Sequence, residues 1–313
     1  MPELRVGERA WQVAAGANLL DALNGGGIAV PSSCRAGHCH SCRVRCVGGE
    51  PLDRLPEALP APERAQGWRL ACQCQVRDDL SVVPYDPRAH GVPAQVSELA
   101  WLGPNVLRLR LTPTRPLRYS AGQHVLLWTE DGIARPYSFA SVPGESPWLE
   151  FHLQCRRPGA FADRARALVV GDSLRLGEVL SGPLQYDPAW DGRPLWLLAS
   201  GTGLAPLWAI LREALRQQHR GDIRVMHVAR PEEHYLAAEL QALAAKHPPL
   251  VVDLIPVEAS LESLRPSRQT LALSCGGPRF VETTARRLYM AGLPRNQLFM
   301  DVFVEGAAAD PEG

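Results

Sequence analysis

The sequence has no long apolar run, no excess of either charge sign and no apolar signal segment at its start. Its 313 residues carry 33 basic and 33 acidic side chains, so the formal net charge is zero. Apolar stretches such as residues 195–199 have the length of a strand, whereas a membrane-spanning helix needs about 18 or more apolar residues. Balanced charge without a basic block argues against nucleic acid or a membrane surface as partner. We therefore expect a cytoplasmic globular protein with no nucleic-acid or membrane partner.

Cysteine is too scarce for a disulfide scaffold, and its distribution along the chain is uneven. Six of the eight cysteines lie before residue 75; Cys155, which we interpret as a core residue, and Cys275 follow. In a reducing compartment, clustered cysteines more often hold a metal or take part in redox chemistry than form disulfides. This asymmetry predicts an N-terminal module with its own chemistry, built from Cys34, Cys39, Cys42, Cys46, Cys72 and Cys74.

Proline and glycine divide the chain into three predicted domains, residues 1–86, 93–188 and 192–305. Residues 84–93 hold three prolines and a glycine, which favour a linker, and a softer boundary falls at residues 186–194. In the middle domain, short strands separated by glycine and proline indicate an antiparallel β-barrel, with strands expected over 124–128 and 137–141. In the last domain, strands alternate with amphipathic helices, which predicts a five-stranded parallel sheet with helices on both faces.

The most specific motif is Cys34-x4-Cys39-x2-Cys42, followed at a distance by Cys72. This spacing resembles that of plant-type [2Fe–2S] ferredoxins, in which two irons bridged by two sulfides need four thiolates. Gly37 lets the loop backbone approach the cluster. The resemblance implies Cys72 as the fourth ligand rather than Cys74, because the thiolate of the Leu-Ala-Cys sequence is the family's ligand. It also implies a β-grasp ferredoxin domain.

A zinc site is the alternative interpretation of the same cysteines. It would use Cys39, Cys42, Cys72 and Cys74. Zinc ribbons prefer paired C-x2-C sequences, whereas the second pair here is C-x-C and Cys34 would have no role. The zinc alternative leads to a non-catalytic binding protein.

A second motif, Arg135-Pro136-Tyr137-Ser138, resembles the Arg-x-Tyr-Ser signature of the ferredoxin–NADP reductase superfamily. Residues 121–124, ending in His124, fit that family's Pro-Gly-Gln-Tyr with two substitutions. The resemblance implies FAD, with Arg135 on a flavin phosphate, Tyr137 against the flavin ring and Ser138 at its reactive nitrogen. It further implies that backbone N–H groups at Gly159, Ala160 and Phe161, at the start of a short helix, hold the pyrophosphate.

Two glycine turns in the last domain resemble the nicotinamide site of the same superfamily. The first places Gly201, Thr202 and Gly203 between a strand and a helix that contains Pro206. The second, Cys275-Gly276-Gly277-Pro278, resembles Cys-Gly-Pro-Pro, which implies Cys275 near the nicotinamide and Gly276 beside the dinucleotide. Phe303 aligns with the acid-x-Phe that closes related chains, which implies that it shields the flavin.

The segment 229–234 bears on the choice between NADH and NADPH. Glu232 and Glu233 favour a ribose 2′-hydroxyl over a 2′-phosphate, although Arg230, a further predicted nucleotide contact, weakens the preference. We predict NADH, with NADPH as the less favoured cofactor.

Ferredoxin, flavin and nicotinamide motifs in this order resemble the one-component reductases of bacterial oxygenase systems. Nicotinamide gives up two electrons as hydride and a [2Fe–2S] cluster accepts one, so a flavin must lie between them. The resemblance implies transfer from NADH through FAD and the cluster to a protein electron acceptor, the terminal component of a mono- or dioxygenase. The alternative acceptor is a sugar deoxygenation enzyme. We expect the free protein to be a monomer.

Overall fold

The structure, a computed structural model, describes residues 1–257 and 264–304, and its first segment is a sheet that curls around one helix. The elements of this segment are, in chain order, β1 (Glu3–Val6), β2 (Arg9–Gln12), β3 (Ala17–Asn18), α1 (Leu19–Gly25), β4 (Arg43–Gly48), β5 (Leu52–Asp53), α2 (Ala61–Ala65), β6 (Trp68–Leu70), β7 (Cys74–Val76), β8 (Leu80–Pro84) and α3 (Pro87–His90). The main sheet has the order β2-β1-β8-β4-β6, with β1 and β8 parallel and the other pairs antiparallel. Strands β3, β7 and β5 form a smaller sheet. This is the predicted β-grasp arrangement.

Helix α1 determines where the cysteine-rich loop lies. Asn18 caps the helix, because its side-chain oxygen accepts a hydrogen bond from the Asp21 N–H at 3.3 Å. Leu19, Leu20 and Leu23 are fully buried in the core of this segment. Residues 26–42 then form neither helix nor strand before β4 begins. The cysteine loop is therefore anchored between a buried helix and the sheet.

The middle segment is an antiparallel barrel, as predicted. Its elements are β9 (Val92–Trp101), β10 (Val106–Pro113), β11 (His124–Trp128), β12 (Ala134–Ser138), β13 (Leu149–Gln154), α4 (Ala160–Ala167) and β14 (Ser173–Leu180). The strand order is β12-β11-β14-β9-β10-β13, with antiparallel pairing throughout. The rings of Phe139 and Phe151 meet in the core at a centroid distance of 5.3 Å. Cys155 lies in the same core, as expected.

Two local features of this segment differ from prediction. The stretch expected to be a linker, 84–93, contains α3, and β9 already begins at Val92. Pro93 is accommodated near the start of β9, where its carbonyl accepts the Thr114 N–H at 2.9 Å. The strand expected over 137–141 is β12, which ends at Ser138. The buried positions of residues 139–141, rather than pairing in a strand, account for their apolar or small side chains.

The last segment is a parallel sheet with the strand order β17-β16-β15-β18-β19, five strands in the described part of the chain. Its elements are β15 (Leu195–Ser200), α5 (Leu204–Arg216), β16 (Ile223–Ala229), α6 (Ala237–Lys246), β17 (Leu250–Pro256), β18 (Leu271–Gly276), α7 (Pro278–Met290) and β19 (Leu298–Val302). The strand order reverses between β15 and β18, the position at which open α/β sheets bind their ligands. The predicted domain end at residue 305 lies outside the described residues.

Charged and aromatic side chains connect the three segments. Arg43 of β4 is buried and donates to the Glu178 carboxylate of β14 at 2.6 Å. Asn105 of the barrel donates to Glu233 at 2.8 Å. These contacts bring the cysteine loop, the barrel and the carboxyl edge of the parallel sheet together. No helix in residues 1–257 or 264–304 has both the length and the apolarity needed to cross a membrane.

Candidate functional site

The four predicted cluster ligands lie in the structure as two pairs of thiols. Cys34 and Cys39 share a hydrogen bond between their side chains, and so do Cys42 and Cys72. Two pairs of thiols suit two irons, each held by two thiolates. The donor arrangement therefore fits a binuclear cluster better than the zinc site that we considered.

Backbone N–H groups surround the first sulfur of the loop. The Cys39 thiol and three N–H groups, those of Ala36, His38 and Cys39 at 3.3 Å each, donate to Cys34 Sγ. These hydrogen bonds lower the pKa of the Cys34 thiol to about 4, despite the opposing effect of burial. Gly37 adopts a φ of +82°, which favours glycine, and this lets the loop turn its N–H groups inward. The loop thus directs several hydrogen-bond donors at the sulfur of Cys34.

Cys72 and Cys74 occupy different environments. The Cys42 thiol and the Gln73 side-chain amide, at 3.3 Å, donate to Cys72 Sγ, and these bonds lower the pKa of Cys72 to about 7. Cys74 is 0% exposed in the apolar core, where burial raises its pKa. The hydrogen bond between Cys72 and Cys42, together with the burial of Cys74 in the core, favours Cys72 as the fourth ligand.

His124 lies between the cysteine loop and the predicted flavin strand. It is the first residue of β11, and its direct partner across the ladder with β12 is Ser138. The His124 ring is 8% exposed and lies against the backbone of Cys39; burial lowers its pKa to about 4. In the sequence, the available signal for His124 is its place in the Pro-Gly-Gln-Tyr motif, where it replaces the tyrosine. The strand partner of the predicted flavin serine thus contacts the backbone of a predicted cluster ligand.

The predicted flavin residues share strand β12. Arg135 donates to the Ala134 carbonyl at 2.8 Å, and no carboxylate within residues 1–257 and 264–304 forms an ion pair with it. A half-buried guanidinium without a carboxylate partner is suited to a phosphate. The rings of Tyr137 and Phe161 are 5.1 Å apart, so the start of α4 lies next to the same strand. Ser138 is buried at the end of β12.

The start of helix α4 is open for an anion. Its N-cap is Gly159, which has no side chain to accept from the first-turn N–H groups, and a Cβ there would meet nothing within 4 Å. The N–H groups of Ala160 and Phe161 lie in that first turn, while the Phe161 side chain is buried. The Gly159 N–H itself donates to the Asp163 carboxylate at 3.1 Å. The two N–H groups after Gly159, together with Arg135, therefore fit a pyrophosphate best.

The two glycine turns of the last segment pack against each other. A Cβ on Gly203 would stand 2.2 Å from the Cys275 carbonyl oxygen, and one on Gly276 would stand 2.9 Å from the Ser200 Cβ. Gly201, with a φ of +52°, begins the turn into α5, and half-buried Thr202 follows. Pro206 is buried in the first turn of α5. The predicted nucleotide turns therefore meet at the point where the strand order reverses.

Cys275 and Asp301 are register partners on β18 and β19. Cys275 is fully buried, and burial raises the pKa of its thiol, so it is present as a neutral thiol. Burial also raises the pKa of Asp301 to about 6, while the nearby His38 of the cysteine loop acts in the opposite direction. The Phe303 N–H donates to the Gly276 carbonyl at 2.8 Å. The end of β19 thus lies between the nucleotide turn and the cysteine loop.

The acidic pair after β16 does not act as a pair. Glu233 accepts a hydrogen bond from Asn105 of the barrel, so its carboxylate is engaged between segments. Glu232 and Arg230 are exposed. Of the two carboxylates expected to favour a ribose hydroxyl, only Glu232 remains available.

Two protein families match this chain, one in its first segment and one in its last segment. Residues 5–77 match the 2Fe-2S iron-sulfur cluster binding domain, and residues 197–264 match the oxidoreductase NAD-binding domain. The first match covers the cysteine loop and Cys72. The second begins in β15 and includes the Gly201–Gly203 turn.

Relatives match over nearly the whole chain. The reductase subunit of an aromatic O-demethylase from an Amycolatopsis species is 32% identical, covering 88% of this chain and 91% of that protein. The ferredoxin–NAD(P)+ reductase component of the Pseudomonas putida naphthalene 1,2-dioxygenase system is 30% identical, covering 93% of this chain and 95% of that protein. The CDP-6-deoxy-L-threo-D-glycero-4-hexulose-3-dehydrase reductase of Yersinia pestis is 26% identical, covering 91% of this chain and 93% of that protein.

Among solved structures, the Amycolatopsis cytochrome P450 reductase GcoB superposes with a TM-score of 0.67 at 28% identity. The match covers 97% of this chain and 99% of that one. The order of ferredoxin sheet, barrel and parallel sheet is therefore shared from end to end.

Proposed function

The chain belongs to the iron–sulfur flavoprotein reductases of the ferredoxin–NADP reductase superfamily, and we propose that it delivers electrons from NADH to the terminal component of an oxygenase system. Its membership establishes an oxidoreductase with a [2Fe–2S] cluster, FAD and a nicotinamide dinucleotide, which confirms the predicted family, fold class and cofactor classes. The non-catalytic zinc protein that we considered is therefore wrong. The acceptor, the preference for NADH and the individual site residues belong to our proposal.

One observation carries the proposal: three predicted sites meet around the cysteine loop. His124 contacts the backbone of Cys39 and is the register partner of Ser138 in the sheet. Asp301, the register partner of Cys275, lies near His38 of the cysteine loop. A chain that transfers electrons between three centres needs them to be adjacent, and this arrangement supports that role.

Within the proposal, the residues of this chain have distinct tasks. Cys34, Cys39, Cys42 and Cys72 hold the cluster, and the N–H groups around Cys34 Sγ stabilise the charge on its sulfur. Arg135 and the first turn of α4 bind the flavin phosphates. Bound FAD supplies chemistry that proceeds in one- and two-electron steps. Ser138 donates a hydrogen bond at the position where hydride is received.

The nicotinamide dinucleotide enters, in this proposal, between the Gly201–Gly203 turn and the Cys275–Gly277 turn. The neutral Cys275 thiol excludes charge and water beside the nicotinamide, and Phe303, bound through its N–H to Gly276, covers the flavin side. Exposed Glu232 supports NADH, since a carboxylate repels a 2′-phosphate. A ratio of kcat/KM for NADH over NADPH well above one supports this preference, and a ratio below one contradicts it.

Relatives provide the support for an oxygenase acceptor. They include reductases of an aromatic O-demethylase and of a naphthalene dioxygenase system. The Yersinia pestis relative favours a second candidate, a sugar dehydrase as the acceptor.

The test compares these acceptors with the same reduced holoprotein. Purified oxygenase components from the source organism and a CDP-sugar dehydrase are each mixed with it, and oxidation of the reduced cluster is followed by rapid mixing. Fast oxidation by an oxygenase component supports the proposal. Fast oxidation by the dehydrase alone contradicts it.

A further inference from the structure

A buried histidine, His227, forms a hydrogen bond with the backbone of the Gly201–Gly203 turn. His227 lies on β16 and is 0% exposed, and its Nε2 is 3.1 Å from the carbonyl oxygen of Gly201. A carbonyl oxygen only accepts hydrogen bonds, so Nε2 of His227 carries the proton. The Gly201 carbonyl belongs to the first residue of the turn that we assign to the dinucleotide.

A second histidine orients the first. Nδ1 of His234 is 3.3 Å from Nδ1 of His227, and the two rings meet edge to face at 5.1 Å. Neutral His227, with its proton on Nε2, has an acceptor at Nδ1, and His234 donates to it. Tyr235 contacts the His227 ring at 5.6 Å, also edge to face. The His227 ring is therefore fixed in both position and tautomer.

Besides His227, the Gly201 turn is closed by the Leu204 N–H, which donates to the Gly201 and Thr202 carbonyls. Gly201 has a φ of +52°, and a Cβ placed there would meet nothing within 4 Å, so no side chain packs against its outer surface. The next glycine, Gly203, is held by the Cys275 backbone. The hydrogen bond from His227 is thus a side-chain contact that holds the start of the turn against the buried strand β16.

We propose that His227 is a positioning residue that holds the Gly201 turn in the geometry that receives the dinucleotide, with His234 fixing its tautomer. The proposal rests on the assignment of this turn to the nucleotide. Without the His227 hydrogen bond, the Gly201 carbonyl keeps only the Leu204 N–H as a donor, and the N–H groups of the turn are aligned less firmly. Ordering the turn then costs free energy when the dinucleotide binds, so the affinity for the dinucleotide falls.

The chain offers a matched control in His219. It is 8% exposed, in the connection between α5 and β16, and it makes the same two kinds of hydrogen bond. Its Nε2 donates to the Arg193 carbonyl at 2.9 Å, and its Nδ1 lies 3.1 Å from the Tyr186 hydroxyl. Neither partner belongs to the nucleotide turns.

The experiment measures the dissociation constant of NAD+ by calorimetry on the holoprotein and the KM for NADH in steady-state turnover. His227→Leu is expected to weaken NAD+ binding about tenfold and raise the KM similarly, with a smaller change in kcat. His227→Gln, which retains a donor, restores most of the affinity. His219→Leu lowers the melting temperature but leaves both constants unchanged. His234→Ala, at a half-exposed position, weakens binding less and serves as the readout should His227→Leu not fold.

The outcomes separate the inference from the proposed function. Wild-type affinity in His227→Leu, or in His234→Ala should the first variant not fold, overturns the positioning role. Equal weakening by His219→Leu also overturns it, because the effect would then reflect general stability. A wild-type protein that binds no nicotinamide dinucleotide contradicts the proposed function itself.

Discussion

The backbone of Cys275 lies against Gly203 so closely that a Cβ on the glycine would stand 2.2 Å from the Cys275 carbonyl oxygen. We therefore expect Gly203→Ala to separate β15 from β18 at their carboxyl ends, since the neighbour is backbone and has little freedom to move. NADH binding should weaken at least about tenfold while the flavin and cluster absorption remains. The KM for NADH and the visible spectrum provide the measurement.

Gly277→Ala is the control for that substitution. Gly277 lies in the same turn, its φ is −65°, and a Cβ there would meet nothing within 4 Å. The melting temperature of Gly277→Ala should match that of the wild type, whereas that of Gly203→Ala should fall. Equal losses in the two variants would contradict the close-approach argument.

The fourth cluster ligand is tested by two serine variants. Cys72→Ser should lose the visible absorption of the cluster, because the Cys72 sulfur lies beside Cys42 and shares a hydrogen bond with it. Cys74→Ser should keep the cluster but lower stability by about 1–3 kcal/mol, since it puts a hydroxyl into the apolar core. Iron content and thermal unfolding distinguish the two. Loss of iron in Cys74→Ser alone would show that Cys74 is the ligand.

Ser138→Ala tests the flavin strand. Removing its hydroxyl should slow flavin reduction by NADH at least about tenfold while the cluster stays assembled. The comparison variant is Ser141→Ala, because Ser141 is buried nearby and bonds to Tyr119 at 2.8 Å and to the Glu150 N–H at 3.1 Å. Ser141→Ala should lower the thermal stability and leave the rate of flavin reduction by NADH unchanged. Rapid-mixing rates for Ser138→Ala equal to those of the wild type would remove Ser138 from the mechanism.

The contact between Arg43 and Glu178 tests how the cysteine loop is positioned. Arg43 also pairs with Glu63 at 2.9 Å, and its guanidinium lies 4.8 Å from the Trp68 ring centre. Arg43→Met should leave flavin reduction by NADH unchanged and slow the later reduction of the cluster several-fold, because the link to the barrel is lost. Arg45→Met, on the same strand with an exposed side chain, should change neither rate. An unchanged rate of cluster reduction in Arg43→Met would show that this ion pair does not position the cysteine loop relative to the barrel.

Local sequence patterns predicted the parts of the site that local geometry determines. The spacing of Cys34, Cys39 and Cys42 and the glycines of the two turns indicate their chemistry because each motif acts within a few residues. The barrel and the parallel sheet followed from strand length and from alternation with helices, whereas the β-grasp domain was implied by the ferredoxin resemblance.

Contacts between distant segments were not predictable in this way. Glu233 was expected to face a ribose but bonds to Asn105, more than a hundred residues earlier in the chain. His124 and His227 likewise gain their positions from Cys39 and Gly201, which only the packed structure brings near them. A polar residue on a buried strand has no sequence signature of its partner, so its role emerges from the tertiary structure.

The central claim is that one chain takes electron pairs from NADH and passes them singly to its cluster. The most direct measurement mixes the reconstituted holoprotein rapidly with NADH without oxygen, following flavin absorbance and the paramagnetic signal of the reduced cluster. We predict that the flavin bleaches first and that the cluster signal follows. A cluster that stays oxidised while the flavin is fully reduced, or a sample that remains colourless after reconstitution with iron, sulfide and FAD, would contradict the account.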